Sequence, residues 1–326
     1  MKLFNQYTKY LLSGSIIAAT LLSSTNVSLA SGTNTEDNKK QSNDEAIALG
    51  NTKNPKNVIF LVGDGMGPSF NTAYRYYQND PSAKSMKPTT FDKYLKGTNR
   101  TYPNDPKENV TDSAAGATAF SSGHKTYNGA IGVDANKKNV KTVLESAKEK
   151  GKSTGLVSTA EITDATPAAY ASHVDSRDKK DEIAKQFYND KINGKHKVDV
   201  ILGGGSKYFG KDNGNLDQKF KKDGYYIVSN KDELNQSQSK QVLGTFSEKD
   251  MPLQIDAPQS NPLLVDMQNS ALNKLSKNNK GFFLMVEGAS IDKAAHPNDI
   301  TGVMSEMSGF ETAFDNAINY AKTHKD

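Results

Sequence analysis

Glu287, Asp292 and His296, three side chains able to hold a metal, fall within ten residues directly behind an apolar run. Asp292 and His296 are spaced i, i+4, so one helical turn puts both on the same face. A carboxylate and an imidazole in that relation suit Zn²⁺. A second carboxylate, Asp64, sits between Gly63 and Gly65 behind Val58-Ile59-Phe60-Leu61-Val62. Asp164 and Thr166 are hard oxygen donors that suit Mg²⁺ or its bound waters, with capping of the helix at Pro167 as their competing use. Asp112 and Ser113 head a run of small helix formers, and either residue can serve as its cap. A serine oxygen there stands at the positive end of a helix, where an anionic ligand or an alkoxide is favoured. Arg177 is a surface charge or a planar fork for a phosphate.

These residues need elements to position them. Val58 to Val62 is apolar and β-branched enough for a parallel strand buried on both faces, and Gly63, Gly65 and Gly67 end it in a turn. Ligands of open α/β sheets bind at the carboxyl ends of such strands. The pattern predicts further strands at Ser153–Thr159, Val198–Leu202 and Gly281–Val286, each ending in polar or glycine residues. Between them it predicts helices over Pro68–Gln78, Val140–Lys150 (closed by Gly151) and Leu263–Leu275, and one from Pro167 through His173 to Arg177. This alternation is the signature of βαβ units and of an α/β fold on a mostly parallel sheet. Residues 206–262 are polar and Lys-rich, with one strand candidate at Tyr225–Val228, and read as a peripheral elaboration. Gly203-Gly204-Gly205 lacks the Lys-Ser/Thr of a nucleotide-binding loop.

The 326 residues allow one large domain or two small ones, and 35% hydrophobic residues permit a core. A net charge of +4 with scattered lysines argues against nucleic acid as a partner. With no cysteine, disulfides and thiolate metal sites are excluded, and five histidines limit imidazole ligation. Residues 1–30 read as a cleaved export signal, with Lys2 and Lys9 before an apolar run and Ser28-Leu29-Ala30 as the cleavage site. That run is short for a membrane span, so no stable anchor is expected, and the location is extracellular or at the cell surface. Residues 31–53 are a polar, disordered leader with little to bury.

Four motifs in order, Val62-Gly63-Asp64-Gly65-Met66-Gly67, Thr111-Asp112-Ser113-Ala114-Ala115-Gly116, Asp164-Ala165-Thr166-Pro167 with Arg177, and Val286-Glu287-Gly288-Ala289-Ser290-Ile291-Asp292 through His296, resemble the alkaline phosphatase family from about Lys56 onward. The resemblance implies a three-layer αβα sandwich, a catalytic domain over residues 54–326, and hydrolysis of small phosphate monoesters with broad specificity. It implies two Zn²⁺ and one Mg²⁺, and a homodimer is an assembly it allows. By position, it makes Ser113 the nucleophile that becomes phosphoserine and a metal contact. Asp64 bridges a zinc and the magnesium site, Thr166 and Glu287 hold magnesium, and Asp164 helps hold that ion or its waters. Asp292 and His296 hold the other zinc. Arg177 clamps the phosphate, Asp112 orients Arg177, and Lys293 reaches the phosphate through water.

One part of the family pattern is missing. The resemblance calls for a later Asp-His pair and a further histidine, whereas only His324 follows His296, near the end of the sequence. Phe310, Ala313, Phe314, Ala317, Ile318 and Ala321 give a helix with a face to bury, after which a βαβ unit would return to the sheet. The expectation is therefore an incomplete, C-terminally truncated phosphatase domain with little or no activity by itself. Two rivals stand beside it: an exported phosphate- or partner-binding protein retaining the fold, and a phosphomutase- or sulfatase-type relative. The absence of Cys and the Asp112-Ser113-Ala114 sequence fit a sulfatase less well.

Overall fold

A computed structural model describes residues 55–324. The expected signal (1–30) and the leader (31–53) lie outside the described residues. Six parallel strands form the main sheet: β1 (Val58–Gly63), β2 (Ser153–Glu161), β3 (Val200–Gly204), β4 (Tyr226–Val228), β5 (Val242–Thr245) and β6 (Phe282–Gly288). Their spatial order is β1-β6-β2-β3-β5-β4, every neighbouring pair parallel. A parallel pair needs a crossover, and the chain supplies helices for this. Those used below are α1 (Pro68–Gln78), α2 (Ser113–Ser122), α3 (Val143–Glu149), α4 (Ala165–Ala171), α5 (Lys180–Asn189), α6 (Leu264–Leu275), α7 (Ser290–Ala295) and α8 (Ile300–Thr323).

The core is two apolar layers, one on each side of the sheet. Leu156, Ile201, Leu243, Phe283 and Met285 point to one side and pack with α2, α3, α4 and α5 through residues such as Ala117, Leu144, Ala168 and Phe187. Val157, Val200, Leu202, Val242, Phe282, Leu284 and Val286 point to the other and meet Tyr74 of α1, Met267 and Leu272 of α6, and Met307 and Phe310 of α8. The period-2 alternation of strand side chains thus divides each apolar run between two helix layers. This is the three-layer α/β sandwich expected.

Several boundaries depart from the sequence expectation. The helix at Pro167 stops at Ala171. Ser172 is extended, Val174 pairs with Ile131, and Arg177 sits on a turn, its amide donating to the Gly129 carbonyl at 2.7 Å. Strand β2 continues to Glu161 with a bulge: Val157 faces Leu202 but Glu161 faces Gly204, so four steps on β2 match two on β3. Such a bulge re-aims side chains beside a site. Residues 206–262 contribute two strands, not one. β5, whose Leu243 and Val242 are its only long apolar side chains, pairs with β3, and β4 lies outside it.

Candidate active site

The carboxyl ends of β1, β6 and β2 lie side by side, with Val62 opposite Glu287 and Ser158 also opposite Glu287. Asp64 follows β1 directly and its amide donates to the Gly288 carbonyl at 3.3 Å. Gly65 takes φ +64°, and a Cβ there would lie 2.5 Å from Asp292 Oδ1. The turn therefore needs glycine both for its backbone and to let Asp292 approach Asp64.

Asp112 resolves the capping choice at α2. Its Oδ1 accepts the Ala115 amide at 2.9 Å, which makes it the N-cap and leaves Ser113 as the first helical residue with its oxygen free to act. Ser113 Oγ donates to Asp64 Oδ2 at 2.9 Å and lies 3.2 Å from Oδ1. The other Asp112 oxygen accepts the Gly129 amide at 2.9 Å and Arg177 Nη1 at 3.1 Å. Arg177 Nη2 donates to Asp164 Oδ1 at 3.1 Å, and Lys293 Nζ to Asp164 Oδ2 at 2.7 Å. Lys293 also lies 3.4 Å from Asp250 Oδ2. This alternating chain of charges holds the guanidinium by one N–H of each terminal nitrogen, which leaves one hydrogen on each for a ligand. Burial works against ionisation of Asp164, but Lys293, Lys180 and Arg177 outweigh it and hold its carboxyl well below the usual range. Lys293 is raised in turn: burial opposes its charge, while Asp164 and Asp250 retain its proton.

A different electrostatic state surrounds Glu287. Its side chain is fully buried, accepts Ser158 Oγ at 2.6 Å and also faces the Thr166 hydroxyl. Burial and then the Asp64 charge push its carboxyl up; Asp64 is raised by burial and then by Asp292. Among the described residues, neither Asp64 nor Glu287 has an ammonium or guanidinium within ion-pairing distance. A buried and a half-buried acid with no ion pair among the described residues, flanked by the hydroxyls of Thr166 and Ser113, make an oxygen-only donor set that fits a hard divalent cation such as Mg²⁺. Zinc is different. Asp292 Oδ2 and His296 Nε2 face each other at 3.0 Å from one side of α7, as their spacing predicts. They are two donors, and among the described residues no three His, Asp or Glu side chains converge to hold a metal. A zinc site takes at least three protein ligands, so the described residues do not fit a complete one.

All ten residues singled out by sequence thus gather at one end of the sheet, in linked groups around Asp64, Asp112 and Asp164, with His296 exposed at the margin. Sequence reasoning missed others. Ser158 supports Glu287, and Thr159 Oγ1 accepts the Ser290 amide at 2.9 Å, fixing the start of α7. Glu161 pairs with Lys180 and Lys207, and Lys180 stands 3.6 Å from Asp164. The available signal was the polar run at the end of β2; the lysines have none, being two among 41 Lys and Arg.

Comparison with known proteins points to one family. A family model described as alkaline phosphatase matches residues 55–326. The chain is 50% identical over 301 residues to alkaline phosphatase 3 of Bacillus subtilis (strain 168), covering 91% of this chain and 63% of the relative. It resembles the crystal structure of a cold-active alkaline phosphatase from a psychrophilic Shewanella species at a TM-score of 0.76 and 42% identity, covering 83% of this chain and 65% of that one. A TAB5 alkaline phosphatase mutant with Mg bound in the M3 site matches at a TM-score of 0.70 and 32% identity, over 82% of this chain and 74% of that one. The chain thus spans less than two thirds of the length of the first two.

Proposed function

The chain belongs to the alkaline phosphatase family, and on that premise we propose that it acts on phosphate monoesters at the carboxyl ends of β1, β6 and β2. One observation carries the reading. Ser113 Oγ, at the positive end of α2, is hydrogen-bonded to Asp64 while the neighbouring Asp112 holds the Arg177 fork. An ester phosphate placed there is bound by the two outward N–H groups of Arg177, with Lys293 adding charge. Ser113 Oγ yields its proton toward Asp64 and attacks phosphorus, the P–O bond to the ester oxygen breaks, that oxygen takes up a proton and leaves as the alcohol, and phosphoserine results. Water then attacks the phosphoserine, which releases inorganic phosphate and restores the hydroxyl. Asp64, Glu287 and Thr166, with Asp164 beside them, would hold a divalent cation, which would supply positive charge that favours ionised groups at the site. Asp292 and His296 are donors toward zinc, and no step is derived through it.

Substrate breadth follows the family reading. Export through residues 1–30 and assembly as a homodimer belong to the same proposal. Among the described residues Asp292 and His296 are two zinc donors without a third, and turnover on these donors alone is expected to be low.

The test is hydrolysis of a chromogenic phosphate monoester by the purified chain with Mg²⁺ and Zn²⁺, alongside capture of ³²P from phosphate ester on Ser113. Label that appears in the chain and is lost in Ser113→Ala supports the reading even where turnover is slow. Phosphate binding without any label, unchanged in Ser113→Ala, would replace it with the binding-protein alternative.

A further inference from the structure

The opposite end of the sheet carries a second, chemically distinct concavity. A cleft of about 870 Å³ crosses the amino ends of β2, β3, β5 and β6, touching Ser153, Asp199, Gln241 and Asn279 near those strand starts. Its size is that of a cleft for a molecule, not for a single ion. Lysines dominate its charge: Lys191, Lys195, Lys240, Lys274 and Lys277 all line it.

The two carboxylates in the cleft are already neutralised from within the fold. Asp199 is paired with buried Lys148 at 2.7 Å and accepts the Thr154 amide at 2.9 Å. Asp223 is taken by His196 at 2.8 Å and Lys191 at 3.2 Å. Four ammonium groups remain. Lys195, Lys240 and Lys277 are exposed and, among the described residues, have no carboxylate within ion-pairing distance. Lys274 is more telling, because it is only 7% exposed and its Nζ meets a carbonyl, that of Ser237 at 2.9 Å, instead of an acid. Lys277 lies one turn further along. Burial and then this neighbouring charge make Lys274 easier to deprotonate than a free lysine. A buried cation facing a like charge costs free energy unless an anion shares the space.

We propose that this cleft binds a multivalent anion of the oligophosphate class, separately from the site at the carboxyl ends. Several phosphates in a row let one ligand reach the lysines of both walls, which a lone orthophosphate cannot do. The site is too far along the strands to share residues with the Ser113 centre, and none of its lining residues belongs to that centre.

Titration calorimetry of the full chain in the Ser113→Ala background, with tripolyphosphate as probe, tests this. The double variant Lys240→Glu/Lys277→Glu changes only exposed side chains and should fold; its affinity should fall by about tenfold or more. Lys274→Met should weaken binding as well, and raised ionic strength should weaken it steeply. Orthophosphate should bind this cleft far more weakly, and citrate less well than tripolyphosphate. Unchanged affinity in the double variant overturns the proposal. So does binding that vanishes in Arg177→Ala while the double variant binds normally, since the probe then occupies the carboxyl-end site. Equal affinity for citrate overturns the phosphate class.

Discussion

Replacing Glu145 with Gln probes how the Arg177 turn is held. Glu145 is buried on α3, and its carboxylate accepts the Thr142 amide at 3.0 Å, His173 Nε2 at 2.9 Å and Lys197 Nζ at 2.8 Å. His173 also meets the Gly132 carbonyl through Nδ1 at 2.6 Å, and Val174 beside it pairs with Ile131. Three residues on, Arg177 is reached. Burial alone would raise the acid's pKa, but His173, Lys197 and the Thr142 amide hold it at about 2, against 4.5 for the free side chain. Holding the acid that far below its free value is worth roughly 3 kcal/mol at neutral pH. Because the folded value is the lower one, that stability is complete above pH 4.5 and is lost as pH falls toward 2. At pH 3 roughly 2 kcal/mol of it is gone. Urea unfolding of the two proteins at pH 7 and pH 3 should therefore show Glu145→Gln less stable by roughly 3 kcal/mol at the first and by roughly 1 kcal/mol at the second. The same variant should bind orthophosphate more weakly. A penalty equal at both pH values, or one below about 0.5 kcal/mol at pH 7, would show that the network does not hold the charge as argued.

Other perturbations address the site directly. Arg177→Ala removes both outward N–H groups and should lower orthophosphate affinity by about a hundredfold, read by calorimetry; a loss of only two- or threefold would mean Arg177 is not the clamp. Ser158→Ala deprives buried Glu287 of its 2.6 Å donor, so Mg²⁺ affinity by equilibrium dialysis should drop by about 10- to 100-fold. Unaltered Mg²⁺ binding would place the cation elsewhere. Gly65→Ala combines φ +64° with a 2.5 Å approach to Asp292 Oδ1, and thermal unfolding should show a loss above about 1 kcal/mol. A variant as stable as the parent would mean the Asp64 turn relaxes without strain.

What the sequence revealed and concealed follows from where each signal lives. Asp64 and Glu287 were legible because each ends a run of consecutive apolar residues; the run before Glu287 is a strand buried on both faces, whereas β1, expected to be buried likewise, is an edge strand of the described sheet and only half-buried. Asp292 and His296 were legible because helical spacing is local. The segment after Pro167 misled because Ala168 to Ala171 continue helically on propensity, yet Ser172 and His173 gain partners far away in sequence, at Ile183, Gly132 and Glu145. Strand β5 was invisible for a similar reason: Val242 and Leu243 become a strand only because β3 stands beside them. Ser158 at the β2 bulge was hidden because pairing register is a property of two strands, not of one.

Charge compensation separates two kinds of acid that motif reading treats alike. Asp112 and Asp164 are answered within the chain by Arg177, Lys180 and Lys293, so they organise a phosphate clamp and need no metal to be stable when ionised. Among the described residues Asp64 and Glu287 have hydroxyl partners and no ion pair, and the Asp64 charge adds to the cost of ionising Glu287. A hard cation between them removes that cost, whereas a protonated Glu287 would satisfy it without metal. The distinction can be measured: folded-state stability should rise with added Mg²⁺ in the parent chain and stay flat in Glu287→Gln, which is isosteric but uncharged. Equal stabilisation of both would locate Mg²⁺ away from this pair and leave buried Glu287 to be explained by protonation alone.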